Sequence, residues 1–238
     1  MAEAPARLLV ASTAINAIVS NILRLQSTPR GVPLAVLLAP LARHFSRDLE
    51  RYYAVSAKFL VIERISAIRH RAVSDGDRLT VEASVAERGT AELRLLAGAV
   101  EAFRCELQQL EVTPERLSAP KGGAQRHSEE YRIHMVVEPD QHEAYADASG
   151  DYNPLHMDSD LRARLGMPER IVHGTLLATL AETIARAGDT GAMTARFASP
   201  CFVSEALSAT IGQRPGDGRR VAIHGADGRL VCAMDWRP

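Results

Sequence analysis

The sequence predicts an α+β protein made of two similar halves, each an antiparallel sheet curved around one apolar helix. Three observations predict this fold class. Short segments of the chain recur in the same order. Each helical apolar pattern is followed by several strand-like segments, and a stretch rich in proline, glycine and charge separates the two sets. Because an apolar helix followed by a meander must be buried, the sheet is expected to wrap around it.

Three pairs of matching segments carry the internal repeat. The pairs are Val36–Ala42 with Thr175–Ala181, Leu79 with Leu207, and Cys105 with Cys232, at offsets of 139, 128 and 127 residues. The offsets differ by amounts typical of loop insertions. A chain of 238 residues can form two small domains. We therefore predict a first half at residues 1–115, a linker at 116–130 and a second half at 131–238.

In the first half, one helix and four strands are predicted. The helix is expected near residues 33–45, where Pro40 predicts a kink or a late start. Turns containing glycine and aspartate then separate the strands, which are predicted at residues 57–72, 78–87, 92–96 and 101–112.

The second half repeats this order of elements. Leucine, alanine and isoleucine residues between Leu176 and Ile184 have helical spacing, and the pattern stops at Gly188. Four strands follow, predicted at residues 193–200, 205–213, 220–225 and 229–236.

The composition argues against several classes of partner. The chain has 28 Lys and Arg against 29 Asp and Glu, a net charge of −1, and 5% aromatic residues, so nucleic acid is not expected. The longest nearly apolar run, residues 31–42, is too short to span a bilayer, and the N-terminus is a poor signal peptide. Three widely spaced cysteines favour a reducing, cytoplasmic compartment.

The segments Ala148–His156 and Ile171–Gly174 carry the candidate chemistry. Gly150 permits unusual backbone angles, Pro154 fixes its own φ, and Asn153 is kept from helical geometry by the proline that follows it. A rigid, turn-rich loop is therefore predicted within Ala148–His156.

This loop would hold Asp151 and His156 in one fixed geometry. A carboxylate and an imidazole that converge on one point can position and activate a water molecule. Gly174 opens the apolar helix, whose free backbone N–H groups suit a carbonyl oxygen that gains negative charge. The residues leave open which of Asp151 and His156 is the base.

The motif Ser-Gly-Asp-x-Asn-Pro-Leu-His, followed by Val-His-Gly before an apolar helix, resembles the MaoC-like acyl dehydratases, the (R)-specific enoyl-CoA hydratases. The resemblance runs from about Tyr145 to Ala181. It implies two fused hotdog units, each a curved antiparallel sheet around a central helix. It also implies reversible addition of water to a trans-2-enoyl thioester, giving an (R)-3-hydroxyacyl thioester. The expected partner is acyl-CoA or acyl-carrier protein, and no cofactor is expected.

The resemblance also implies a role for individual residues. Asp151 and His156 would form the acid/base dyad, Asn153 would hydrogen-bond within the loop, and the Gly174 N–H would polarise the thioester carbonyl. The residues expected to contact substrate are Ser149, Gly150 and His173.

The first half departs from this pattern. It has Leu34-Ala35 where the second half has His173-Gly174, and no comparable loop precedes them. One active site per chain is therefore predicted, built by the second half and covered by a degenerate first half. Glu182 stands where some single-copy relatives place a serine, and that role is not transferred to it.

Other polar residues are expected to be structural. Arg69, His70 and Arg71 are interpreted as a solvated strand end, with a pantetheine-phosphate contact as the alternative. His127, His134 and His142 are interpreted as linker or surface residues, and the three cysteines as unreactive. His156 and Asp158 lack a third ligand at suitable spacing, so no metal site is predicted.

Two other functions stay open. A hotdog acyl-thioesterase would need a carboxylate aimed at the thioester carbon, and a non-catalytic acyl-binding subunit would resemble the first half alone. The expected assembly is a monomeric double hotdog or a homodimer.

Overall fold

The computed structural model describes residues 7–27, 29, 31–43, 59–86, 89–113 and 132–238. The strands are β1 Arg7–Leu9, β2 Phe59–Arg69, β3 Arg78–Ala86, β4 Thr90–Ala97, β5 Val100–Val112, β6 Arg132–Met135, β7 Gly191–Phe197, β8 Leu207–Gln213, β9 Arg219–Gly225 and β10 Leu230–Arg237. The helices are α1 Thr13–Leu23, α2 34–43, α3 Pro139–Ser149, α4 Pro154–Met157, α5 Ser159–Arg164 and α6 Gly174–Ala185.

One antiparallel sheet contains these ten strands, in the order β1-β3-β4-β5-β2-β7-β10-β9-β8-β6. At its centre β2 pairs with β7, from Arg64 opposite Arg196 to Arg69 opposite Gly191. Outward from this pair, the strands on both sides follow the same order within their own half of the chain. The sheet with its few helices confirms the predicted α+β class.

The central helices α2 and α6 are buried. Every residue of α6 from Thr175 to Glu182 is buried, and the helix packs on β8, β9 and β10. In α2 the side chains of Leu34, Leu37 and Leu38 are at most 1% exposed. Since each fully buried leucine side chain stabilises a fold by about 1.5–3 kcal/mol, these helices anchor the core.

The predicted strands agree with the observed ones to within a few residues, because alternating burial is a direct consequence of strand geometry. Pro40 lies inside helical residues 34–43, so the helix does not start late. The helices α1 and α3 were not predicted. The predicted linker at 116–130 lies outside the described residues, so the division into domains stays a prediction. Within the described residues, no helix is both long and apolar enough to cross a membrane.

Candidate active site

Gly150 ends α3 and sets the direction in which the following loop leaves the helix. Helix α3 begins with a capping box between Glu138 and Gln141, and it ends at Gly150, whose φ of +73° lies in the left-handed region. The Gly150 N–H bonds the Ala146 carbonyl. A Cβ at Gly150 would lie 2.7 Å from the Arg43 side chain. The backbone angle therefore favours glycine here, and a larger residue would also displace the exposed Arg43 side chain.

Ser149 and Asn153 fix the loop on either side of Asp151. The Ser149 hydroxyl donates to the Tyr145 carbonyl at 2.7 Å and accepts from the Asp151 N–H at 3.2 Å. The Asn153 side chain caps α4 by accepting from the Leu155 N–H at 3.0 Å. Since Pro154 occupies the first position of α4, this four-residue helix has a well-defined start.

His156 lies in α4 and is 9% exposed. Its Nδ1 lies 2.8 Å from the Ile171 carbonyl oxygen. A carbonyl only accepts hydrogen bonds, so Nδ1 carries the proton and Nε2 keeps a lone pair. Burial lowers the pKa of His156, while the Asp151 carboxylate opposes that effect. At neutral pH His156 is therefore an uncharged imidazole next to a carboxylate.

His173 forms a hydrogen bond with the backbone of the loop that carries Asp151. It is fully buried, and its Nε2 donates to the Asp151 backbone carbonyl at 2.9 Å. The side chain of His173 makes no capping hydrogen bond to α6. Gly174 begins the helix and lines the cavity described next, and a Cβ there would lie 3.5 Å from the Phe197 ring.

A cavity of about 320 Å³ lies between the two halves. Four of the predicted site residues line it: Asp151, Asn153, His156 and Gly174. Ser149, Gly150 and His173 shape the loop instead, and their contact with substrate stays a prediction. The first half contributes mainly apolar side chains, which are Leu38, Leu41, Ala42, Leu60, Val61, Ile62, Leu107, Leu110 and Val112. The cavity thus joins polar groups at one wall to an apolar space suited to a hydrocarbon chain.

The interpretation of His142 as a linker or surface residue is wrong. His142 lies in α3, is 0% exposed, and its ring centroid is 4.5 Å from that of His173. Burial lowers the pKa of His142 to about 3. A sequence signal existed, because His142, Tyr145, Ala146 and Ser149 have the i, i+3, i+4, i+7 spacing of one helix face.

Arg69 is not part of a solvated strand end. It is 8% exposed, pairs with Glu182 and donates to the Val32 carbonyl at 2.8 Å. Glu182 also accepts from the Leu34 N–H at 2.8 Å, so it lies at the start of α2 and outside the cavity lining. Alternation along β2 after Ile65 places Arg69 on the inward face, a signal that the sequence contained.

The remaining polar predictions agree with the structure in part. His70 and Arg71 are exposed, which agrees with a solvated strand end, and His70 lies 2.9 Å from Glu101. His134 is exposed, and His127 lies outside the described residues. Cys105, Cys201 and Cys232 are free and buried. Burial raises the pKa of Cys105 and of Cys232 to about 12, which makes these thiols poor nucleophiles.

One stretch of the chain that contains these site residues matches a known family. Residues 120–226 match the sequence model of the family described as MaoC like domain. The chain carries a MaoC-like domain. This domain contains the loop of Asp151, the dyad candidate His156 and the start of α6.

Known proteins agree with this assignment. The mitochondrial 3-hydroxyacyl-[acyl-carrier-protein] dehydratase of Arabidopsis thaliana is 34% identical over 68 residues, which are 27% of this chain and 41% of that protein. The match therefore spans less than half of the curated relative's length.

Solved structures share the fold of this chain. HtdX from Mycobacterium tuberculosis has a TM-score of 0.67 at 20% identity, covering 96% of this chain and 97% of HtdX. A MaoC-like dehydratase from Phytophthora capsici has a TM-score of 0.55 at 18% identity, covering 75% and 71%. The hotdog fold is thus confirmed. Acyl-ACP thioesterases also share it, so the fold alone does not decide the reaction.

Proposed function

We propose that the chain catalyses the reversible addition of water to a trans-2-enoyl thioester, giving an (R)-3-hydroxyacyl thioester. The observation that carries the proposal is the shared wall of Asp151, His156 and Gly174 in one cavity with an apolar extension. The MaoC-like domain and the partial likeness to a 3-hydroxyacyl-[acyl-carrier-protein] dehydratase support it.

In the hydration direction, His156 Nε2 takes a proton from water as the water oxygen bonds to C3 of the enoyl group. The Asp151 carboxylate accepts a hydrogen bond from the O–H that remains on the attacking oxygen, and its charge stabilises the imidazolium that forms. The electron pair of the double bond moves toward the thioester carbonyl, and the proton on His156 is then delivered to C2. Water supplies every atom that is added, so we expect no cofactor.

The start of α6 stabilises the negative charge on the carbonyl oxygen. The Gly174 N–H donates to that oxygen, and the partial positive charge of the helix N-terminus adds to the effect. The apolar side chains of α2, β2 and β5 would enclose the acyl chain. The thioester could be carried by CoA or by acyl-carrier protein, because both present the same pantetheine thiol. A cytoplasmic location is part of the proposal.

An assay of crotonyl-CoA and a longer enoyl-CoA tests the reaction through the loss of enoyl absorbance. Asp151→Asn and His156→Gln are each expected to lower kcat/KM by about 10²–10⁴-fold, the usual contribution of a general acid or base. His134→Gln, at an exposed position of β6, is the matched control and should retain full activity.

Each alternative has a distinct outcome. Undiminished hydration in both dyad variants would contradict the mechanism. Release of CoA thiol without hydration would identify a thioesterase. If the wild-type chain does neither with CoA or carrier-protein thioesters, that result would contradict both enzymatic functions and favour a non-catalytic acyl-binding subunit.

A further inference from the structure

Three histidines from different elements meet beside the loop of Asp151. His142 comes from α3, His156 from α4 and His173 from the residue before α6. One ring nitrogen of each lies within 4.8 Å of the other two. The ring centroid of His173 is 4.2 Å from that of His156 and 4.5 Å from that of His142. We refer to these three residues as the histidine cluster.

The hydrogen bonds around the histidine cluster leave lone pairs within it. His156 Nδ1 and His173 Nε2 each face a backbone carbonyl oxygen and therefore carry a proton. His173 Nδ1 and both ring nitrogens of His142 are buried, and none has a hydrogen-bond partner among the described residues. A buried polar atom without a partner destabilises the folded chain, so a ligand that engages these nitrogens would be favoured.

The surroundings of two members match those of metal-binding histidines. Such histidines usually donate their second ring N–H to a backbone carbonyl or a carboxylate, which fixes the tautomer and the ring orientation. His156 does so with Ile171, and His173 does so with Asp151. The third ligand that sequence spacing did not supply comes from His142, on a separate helix.

We propose that the histidine cluster binds one divalent transition-metal ion of the imidazole-preferring class, such as Zn²⁺. Three imidazoles from the protein form a common zinc ligand set, and one of these three, His156, also lines the cavity. Zn–N bonds of about 2.0–2.1 Å place tetrahedral ligand nitrogens about 3.3 Å apart, so the rings must approach by up to about 1.5 Å. The site therefore forms as the ion binds.

Occupation of this site would inhibit the proposed reaction. The ion takes the Nε2 lone pair of His156, which then cannot accept a proton from water. This consequence rests on the proposed hydratase function, whereas the binding of the ion does not.

Titration of the metal-free full chain with Co²⁺ tests binding without substrate. One Co²⁺ per chain is expected, with the visible absorption bands of a tetrahedral ion, and stoichiometric Zn²⁺ should abolish these bands. His142→Gln is expected to weaken Co²⁺ binding at least tenfold, because even indirect partners of metal ligands change affinity by about 10–100-fold. His134→Gln is the matched control and should bind like wild type.

The outcomes separate the two proposals. Absence of the bands in the wild-type chain at micromolar Co²⁺, or identical binding by wild type and a folded His142→Gln variant, would overturn the metal site. His142→Asn and a thermal unfolding measurement establish that any loss is not a folding defect. If Co²⁺ binds in the expected way but the chain has no hydration activity with or without chelator, the site stands and the proposed function fails.

Discussion

The central helices α2 and α6 occupy equivalent places in the two halves, yet their N-terminal N–H groups meet different surroundings. At the start of α2, the Leu34 N–H donates to Glu182 and the Ala35 N–H donates to the Thr179 hydroxyl at 3.2 Å. At the start of α6, Gly174 lines the cavity. The second half therefore caps the helix of the first, while its own helix start is available to a ligand.

This difference explains how a repeated fold can have one site. A helix N-terminus attracts negative charge, and a fold must either satisfy it internally or leave it for a ligand. At the start of α2 the negative charge comes from the buried carboxylate of Glu182 in α6, which Arg69 neutralises. Burial raises the pKa of Glu182, and the Arg69 guanidinium and Leu34 N–H oppose that effect.

The largest expected effect is the loss of the cap on α2. Glu182→Ala leaves Arg69 buried without a counter-charge, so we expect the free energy of unfolding to fall by about 3–5 kcal/mol. Chemical denaturation measures this change. The double variant Glu182→Leu with Arg69→Met should recover most of the loss, because it removes both buried charges. A change below about 1 kcal/mol in Glu182→Ala would contradict a buried, paired carboxylate.

Loss of the second cap on α2, the Thr179 hydroxyl, should lower the stability of the fold by a smaller amount. Thr179→Val removes the acceptor of the Ala35 N–H and should lower the free energy of unfolding by about 1–3 kcal/mol. Thr183→Val is the control, because the Thr183 hydroxyl bonds the Thr179 carbonyl within α6 and not α2. Equal losses in the two variants would show that the contact with α2 contributes nothing specific.

The histidines near α6 give the second half its own response to pH. Burial holds the pKa of His142 at about 3, below its ordinary value of 6.5. Between pH 6.5 and 5 the unfolded chain binds a proton there that the folded chain does not, so stability decreases as the pH falls. This group should account for about 2 kcal/mol over that range.

Unfolding measured against pH in the presence of a chelator tests this expectation. In His142→Gln the free energy of unfolding should fall by about 2 kcal/mol less between pH 6.5 and 5 than in wild type. In His134→Gln it should fall as much as in wild type. A wild-type stability that is constant from pH 6.5 to 5 would contradict the burial of neutral histidines.

The smallest expected effect compares the equivalent positions Gly174 and Ala35. Gly174→Ala adds a Cβ at ordinary contact distance from Phe197, so folding should be retained. A displacement of substrate by a fraction of an ångström should lower kcat/KM by about tenfold. Ala35→Gly should leave kcat/KM unchanged, since its N–H faces Thr179. Equal effects on kcat/KM would show that the two helix starts do not differ in function.

The parts of the fold that follow from local periodicity were predictable. Alternating apolar residues located the strands, and the Leu176–Ile184 pattern located α6. Helix α3 was not predicted because most of its residues are polar, although the residues of its buried face have helical spacing. In α1, the apolar residues Ile15, Ile18, Val19 and Ile22 have helical spacing, so the sequence also contained a signal for this helix.

The candidate site was predictable where one short motif contains it. Asp151, Asn153 and His156 lie within six residues, and a glycine, a proline and an asparagine set their backbone. His142 was not predicted because its role depends on the packing of α3 against residues far along the chain. The burial of Arg69 was not predicted for the same reason, because a charged residue is buried only when it has a partner, and that partner is Glu182, far along the chain.

The sequence by itself determined the elements, the duplication of their pattern and the loop that presents Asp151 and His156, because these depend on residues near one another in the chain. Only the tertiary structure decided which group meets each helix start. The contact of Leu34 with Glu182 joins residues 148 positions apart. Such contacts leave no periodic trace in the chain, since packing between the two halves creates them.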